Sequence, residues 1–212
     1  MENAWMFIVA FLIFWPSAFS LALLIFRQQI RPLKSKIIFS SLIMAQITFI
    51  LQSELIPEGI ALPIFQPLAT WLCFWLIFRI KLSQSLIIFV SFYGLNCIAE
   101  IIFYVFLSQL TGSSFITLAR ESVVVPFLFL SFFNIVLCFI LIKFRLGFSF
   151  VRLNSKQTFP DLVPILMISI LSACSVIVSL YLYDATLVLF ISFLLVSMGL
   201  VFYRIYKREI SD

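Results

Sequence analysis

Between residues 93 and 104, side chains capable of acid, thiol or hydrogen-bond chemistry recur at steps of three and four: Tyr93, Asn96, Cys97, Glu100 and Tyr104. That spacing places them on one face of a helix. A carboxyl group flanked by an amide and two phenols could bind a cation, exchange a proton or pair with a basic ligand. The segment that carries them, FYGLNCIAEIIF, is otherwise apolar. What the acid can do there depends on the medium around the helix.

Composition settles the medium. Of 212 residues, 64% are hydrophobic and 11% charged, against about half apolar and a quarter charged in soluble domains. Apolar stretches of about 18 residues or more recur from end to end, each long enough to cross a hydrocarbon core about 30 Å thick. They do not alternate polar with apolar residues, as the strands of an outer-membrane barrel would. The expected fold is therefore all-α: a polytopic transmembrane helix bundle in which residues 1–212 form a single integral membrane domain.

Charges and helix breakers divide the chain into about seven spans, at 4–26, 37–56, 60–78, 82–110, 123–142, 162–183 and 185–203. Residues 162–203 are too many for one crossing, so a tight turn is expected at YLYDAT. The N-terminus has neither a basic leader nor a small-residue cleavage site and reads as a retained first helix. Of the 14 basic residues, all but Arg120 follow the first, third, fifth or seventh span. The positive-inside rule then puts the N-terminus outside and the C-terminus inside. This distribution over four short loops also argues against nucleic acid as the target of the net charge of +5. The words LIFR (residues 24–27 and 76–79), LIKFR and FYR end the odd-numbered spans. Either repeated hairpins or an aromatic and basic belt at the inner leaflet would produce them.

Within such a bundle the stripe on the fourth span must face other helices. An isolated carboxylate in lipid costs several kcal/mol, and no lysine or arginine falls inside a span to pair with Glu100. The carboxyl is expected to keep its proton and to hydrogen-bond to a neighbour. Gln46 and Gln52 on the second span, Gln66 between Pro63 and Pro67 on the third, and Asn134 on the fifth could converge on it. The candidate ligand site is thus Glu100, Asn96, Tyr93, Gln66, Gln46 and Asn134, opening outward. For the amides a second reading is interhelical glue, at about 1 kcal/mol or less each. Ser169, Ser172, Ser175 and Ser179 make a small-residue stripe best explained by close helix packing.

Catalytic equipment is not evident. The sequence contains no histidine, which excludes histidine-dependent nucleophile pairs and histidine metal ligands. Cys73, Cys97, Cys138 and Cys174 fall within apolar runs without metal-site spacing. No phosphate-binding loop, dinucleotide fingerprint or hydrolase motif is found. Neither enzymatic activity, nor a cofactor, nor a metal is expected.

Several short words carry a resemblance: ENAWMFIVAFLIFWPSAFSLALLIF, the basic loop RPLKSK, the turn LIPEGIALPIF, then FWLIFRIKLSQSLI, the acid-bearing fourth span, and QLTGSS. Over Met1 to Leu146 the chain resembles the membrane-embedded sensor region that precedes the kinase core in Gram-positive Agr-type (GHKL) sensor histidine kinases. The resemblance implies a signal received from outside and passed on through protein contacts. Because neither a phospho-accepting histidine nor a nucleotide motif is present, autokinase activity does not carry over. The expectation is a non-catalytic sensing or accessory component that binds a peptide or small apolar ligand. It would act on a membrane or cytoplasmic signalling partner through Arg152, Lys156, Lys207 and Arg208, with self-association an open alternative. A substrate-binding membrane component of a transporter, with Glu100 in its site, is the competing expectation.

Overall fold

The computed structural model describes residues 4–52, 65–112, 118, 124–148, 196, 199 and 203. All regular structure among them is helical. In chain order the elements are α1 (Ala4–Ile25), a single 3₁₀ turn (Arg31–Leu33), α2 (Lys34–Gln52), α3 (Gln66–Leu72, continuing as a π-helix over Cys73–Ile77), α4 (Leu82–Thr111) and α5 (Val124–Phe144). Four helical stretches, Met6–Ile25, Arg31–Leu51, Gln84–Thr111 and Val124–Phe144, are long and apolar enough to cross a membrane. The third expected span, 60–78, is described only over the shorter apolar helix Gln66–Ile77, about 18 Å at helical rise. Spans 162–183 and 185–203 lie outside the described residues, apart from helical Val196, Gly199 and Tyr203.

Burial is inverted relative to a water-soluble bundle. On α2 the covered face carries Ile37, Ser40, Ser41, Met44, Thr48 and Leu51, while Ile38, Phe39, Leu42, Phe49 and Ile50 are exposed. On α4 the pattern recurs, with Gln84, Ser85, Ser91 and Asn96 buried and Ile102, Val105, Phe106 and Leu110 exposed. In water such a surface would drive aggregation, whereas lipid solvates it and leaves small and polar residues to the helix contacts. Most of the buried hydroxyls are satisfied within their own helix. Ser17 donates to the Phe14 carbonyl (2.7 Å), Ser41 to Ile37 (2.7 Å), Thr48 to Met44 (2.7 Å), Thr70 to Gln66 (2.8 Å) and Ser131 to Phe127 (2.6 Å). A hydroxyl folded onto its own backbone can be buried without a partner on another helix.

The core is built around α1, whose Phe11, Phe14, Trp15, Phe19, Leu21 and Leu23 are all buried, as is Phe26 just past its end. Phe11 and Phe14 meet the Phe127 ring at 4.8 and 5.0 Å, near the start of α5. Further along, the Cys138 thiol lies 4.0 Å from the Ser17 carbonyl, and the Phe148 N–H donates to the Ile25 carbonyl at 2.7 Å. The contacts ascend together in both segments, so α1 and α5 run parallel. Phe19 packs on Phe74 (5.3 Å) and Phe78 (5.7 Å) of the α3 region, and Phe103 of α4 stacks on Phe129 of α5 at 4.4 Å.

Helix endings explain the repeated Phe-Arg words. Arg27, Arg79 and Arg145 have φ of 51°, 56° and 52°, the left-handed conformation that glycine adopts without cost and other residues at roughly 1–2 kcal/mol. After α1 the Gln28 N–H returns to the Leu23 carbonyl (3.0 Å), and after α5 the Leu146 N–H returns to Leu141 (3.1 Å). Both close the terminal turn as a Schellman motif. The π-helix shifts this closure at the end of α3, where Ile80 N–H reaches Phe74 at 3.3 Å. By contrast α4 ends on Gly112, φ 67°, the usual residue for this ending.

Candidate functional site

The fourth-span stripe lies on α4 as its spacing requires. Asn96 and Tyr104 are buried at 6% exposure, and Tyr93, Cys97 and Glu100 are half-buried. Tyr93, Cys97 and Tyr104 lie within electrostatic reach of the Glu100 carboxyl. Glu100 itself makes no hydrogen bond or ion pair among the described residues.

The amides behave differently from interhelical glue. Asn96 turns its Nδ2 onto the Phe92 carbonyl of its own helix at 3.0 Å, leaving Oδ1 buried without a partner among the described residues. Asn134 is fully buried on α5, and neither its Nδ2 nor its Oδ1 has a hydrogen-bond partner among the described residues. It shares a helix face with Phe127, Ser131 and Cys138, the face turned to α1. From the Phe103–Phe129 stack, Asn96 lies two turns back along α4 and Asn134 about a turn and a half forward along α5. Successive crossings run in opposite directions, so the two amides stand at nearly the same level.

Gln66 is buried where α3 begins, with Pro67 in the first turn. Gln46 is exposed, because it projects from the side of α2 opposite Met44 and Thr48, whose side packs on α1. Arg152, Lys156, Lys207 and Arg208 lie outside the described residues. Two interhelical hydrogen bonds between side chains of the described residues use tryptophans, Trp15 to Thr48 at 3.2 Å and Trp71 to Ser85 at 3.1 Å. In sequence, Trp15 and Trp71 fall inside the expected spans 4–26 and 60–78 with no partner marked by local spacing, so only the pairing of a ring N–H with a hydroxyl across two helices reveals their role.

Two clefts were not anticipated. One, of about 310 Å³, is wholly apolar and lies between α2 and α3, lined by Ile47, Leu51, Phe65, Leu68, Ala69 and Leu72. The other, of about 380 Å³, lies between the ends of α1 and α5 and includes Arg27 and Arg145. Among the described residues no group of three or more cysteine, aspartate or glutamate side chains could hold a metal ion. Compared with family models, curated proteins and solved structures, the chain matches none.

Proposed function

We propose that this chain is a multi-pass protein of the bacterial cytoplasmic membrane, with about seven spans, the N-terminus outside and the C-terminus inside. It senses a peptide or small apolar ligand arriving from the outer side and acts without catalysis, through a membrane or cytoplasmic partner. The observation that carries this reading is the buried Asn134 amide, unpartnered at both Nδ2 and Oδ1 among the described residues. Leaving such a group unpaired in an apolar interior costs about 1–3 kcal/mol. A ligand presenting a peptide group at the level of Asn134 and Asn96 would supply both a donor and an acceptor. The apolar cleft between α2 and α3 offers room for an apolar side chain or tail. The resemblance of Met1–Leu146 to sensor regions of Agr-type kinases points the same way. The basic residues Arg152, Lys156, Lys207 and Arg208 would form the partner surface.

The carboxyl of Glu100, without an ion pair among the described residues, favours a second reading as a substrate-binding component of a transporter. One experiment separates the two. The protein is placed in nanodiscs and titrated with short apolar peptides, and the same peptides are offered to proteoliposomes. Sensing predicts a rise in melting temperature for the native chain, lost in Asn134→Leu, with no accumulation inside the vesicles. Accumulation would replace sensing by transport, and no thermal shift with any peptide would remove the peptide-sensing reading.

A further inference from the structure

Where α1 and α5 end side by side, Arg27 and Arg145 stand on the same cleft, of about 380 Å³, with Gln28 beside them and Leu24, Leu141 and Ile142 forming an apolar wall. Both arginines are exposed, and neither forms an ion pair among the described residues. The nearby Lys143 differs, since its ammonium lies over the Phe139 and Phe144 rings at 5.9 and 5.8 Å.

Three features make this a built site. Both guanidinium groups spring from left-handed backbone, φ 51° and 52°, where glycine would sit without strain. The chain after α5 is clamped to the end of α1 by the Phe148 N–H bonded to the Ile25 carbonyl at 2.7 Å, with the Phe26 and Phe148 rings 6.1 Å apart. At Gly147 the two segments approach so closely that a Cβ would lie 2.9 Å from both the Leu24 and Ile25 carbonyl oxygens. Two cations on a fixed backbone therefore share an opening with the Gln28 side chain, and the rest of its wall is hydrocarbon, at the end of the bundle where the basic residues gather.

We propose that this cleft binds the phosphate of an anionic phospholipid, with Arg27 and Arg145 holding the headgroup and an acyl chain lying along Leu24, Leu141 and Ile142. Guanidinium forks match phosphate oxygens in pairs, and basic pockets between membrane helices suit anionic headgroups. The wall of leucine and isoleucine distinguishes a lipid from a free phosphate ion, which has no use for it.

The test uses the full chain, delipidated in detergent and titrated separately with phosphatidylglycerol, phosphatidylcholine and inorganic phosphate. Melting temperature and retained lipid by native mass spectrometry are the readouts. The native chain should be protected by phosphatidylglycerol and retain it, and should respond to neither of the other two. The double variant Arg27→Gly with Arg145→Gly keeps the backbone conformation at both positions, so it should fold, yet lose tenfold or more in apparent affinity. Arg79→Gly, left-handed but outside the cleft, should bind as the native chain does. Undiminished phosphatidylglycerol binding by the double variant overturns the site, as does an equal loss in Arg79→Gly. Protection by inorganic phosphate matching that by phosphatidylglycerol overturns the lipid assignment.

Discussion

Trp15 of α1 donates its indole N–H to the Thr48 hydroxyl of α2 at 3.2 Å, and the Thr48 hydroxyl in turn donates to the Met44 carbonyl at 2.7 Å. Both residues are buried, so the relay fixes the rotation of α2 against the central helix. Trp15→Phe and Thr48→Val should each lower the melting temperature in detergent. Combined in a double-mutant cycle, they should show a coupling of about 1 kcal/mol or less, as is usual between membrane helices. Strict additivity would show that the bond contributes nothing.

Asn134→Leu replaces an unpartnered buried amide with an apolar side chain of similar branching. The ligand-free protein should gain about 1 kcal/mol of stability, because the cost of the unpaired polar atoms disappears. Denaturant titration of the detergent-solubilised protein measures it. Loss of stability would mean that the amide is satisfied in the membrane and not held open for a ligand.

Glu100→Gln keeps donor and acceptor capacity but removes the acid. Insertion and melting temperature should be retained, while response to ligand or uptake of substrate should be abolished. Unchanged activity in the glutamine variant would reduce Glu100 to a packing residue.

Gly147→Ala should destabilise by about 1–3 kcal/mol, combining backbone strain at φ 134° with a collision against two carbonyl oxygens. Gly112→Ala, at φ 67° with nothing within 4 Å of the added carbon, should cost no more than about 1–2 kcal/mol. Equal losses at the two glycines would show that the clamp between α1 and α5 is loose.

Orientation is tested by single cysteines in a cysteine-free background. Replacements at Arg31 and Lys81 should be labelled only from the cytoplasm, and one at Gly112 only from outside. The reverse pattern would invert the scheme.

Helix extents were legible where charges bound an apolar run: residues 82–110 were expected for the fourth span, and α4 covers Leu82–Thr111. The rotation of each helix was less legible. The second span carries polar residues on more than one side, so its periodicity does not decide that Gln46 faces outward while Ser40, Met44 and Thr48 face the core. The left-handed arginines were illegible for another reason. Local rules look for glycine at such endings, whereas at Arg27, Arg79 and Arg145 the conformation accompanies the backbone bonds from Gln28, Ile80 and Leu146 that close each helix. The amide pair was half legible, since sequence named Asn96 and Asn134 but could not show that both would keep polar capacity unspent. The Arg27–Arg145 cleft depends on two helix ends meeting across more than a hundred residues of chain, a distance no local pattern spans.

That separation also has a bearing on biogenesis. The Cys138 and Ser17 groups that meet at the α1–α5 contact are 121 residues apart in sequence, and α1 is the helix on which the other four pack. At ribosomal rates of about 5–20 residues per second, α1 waits on the order of ten seconds before its principal neighbour emerges. During that interval its aromatic face is open to lipid, to insertion machinery or to another nascent chain. Ribosome stalling or proteolysis before Val124 would therefore leave a product whose most adhesive surface is uncovered, and membrane quality control should recognise it there.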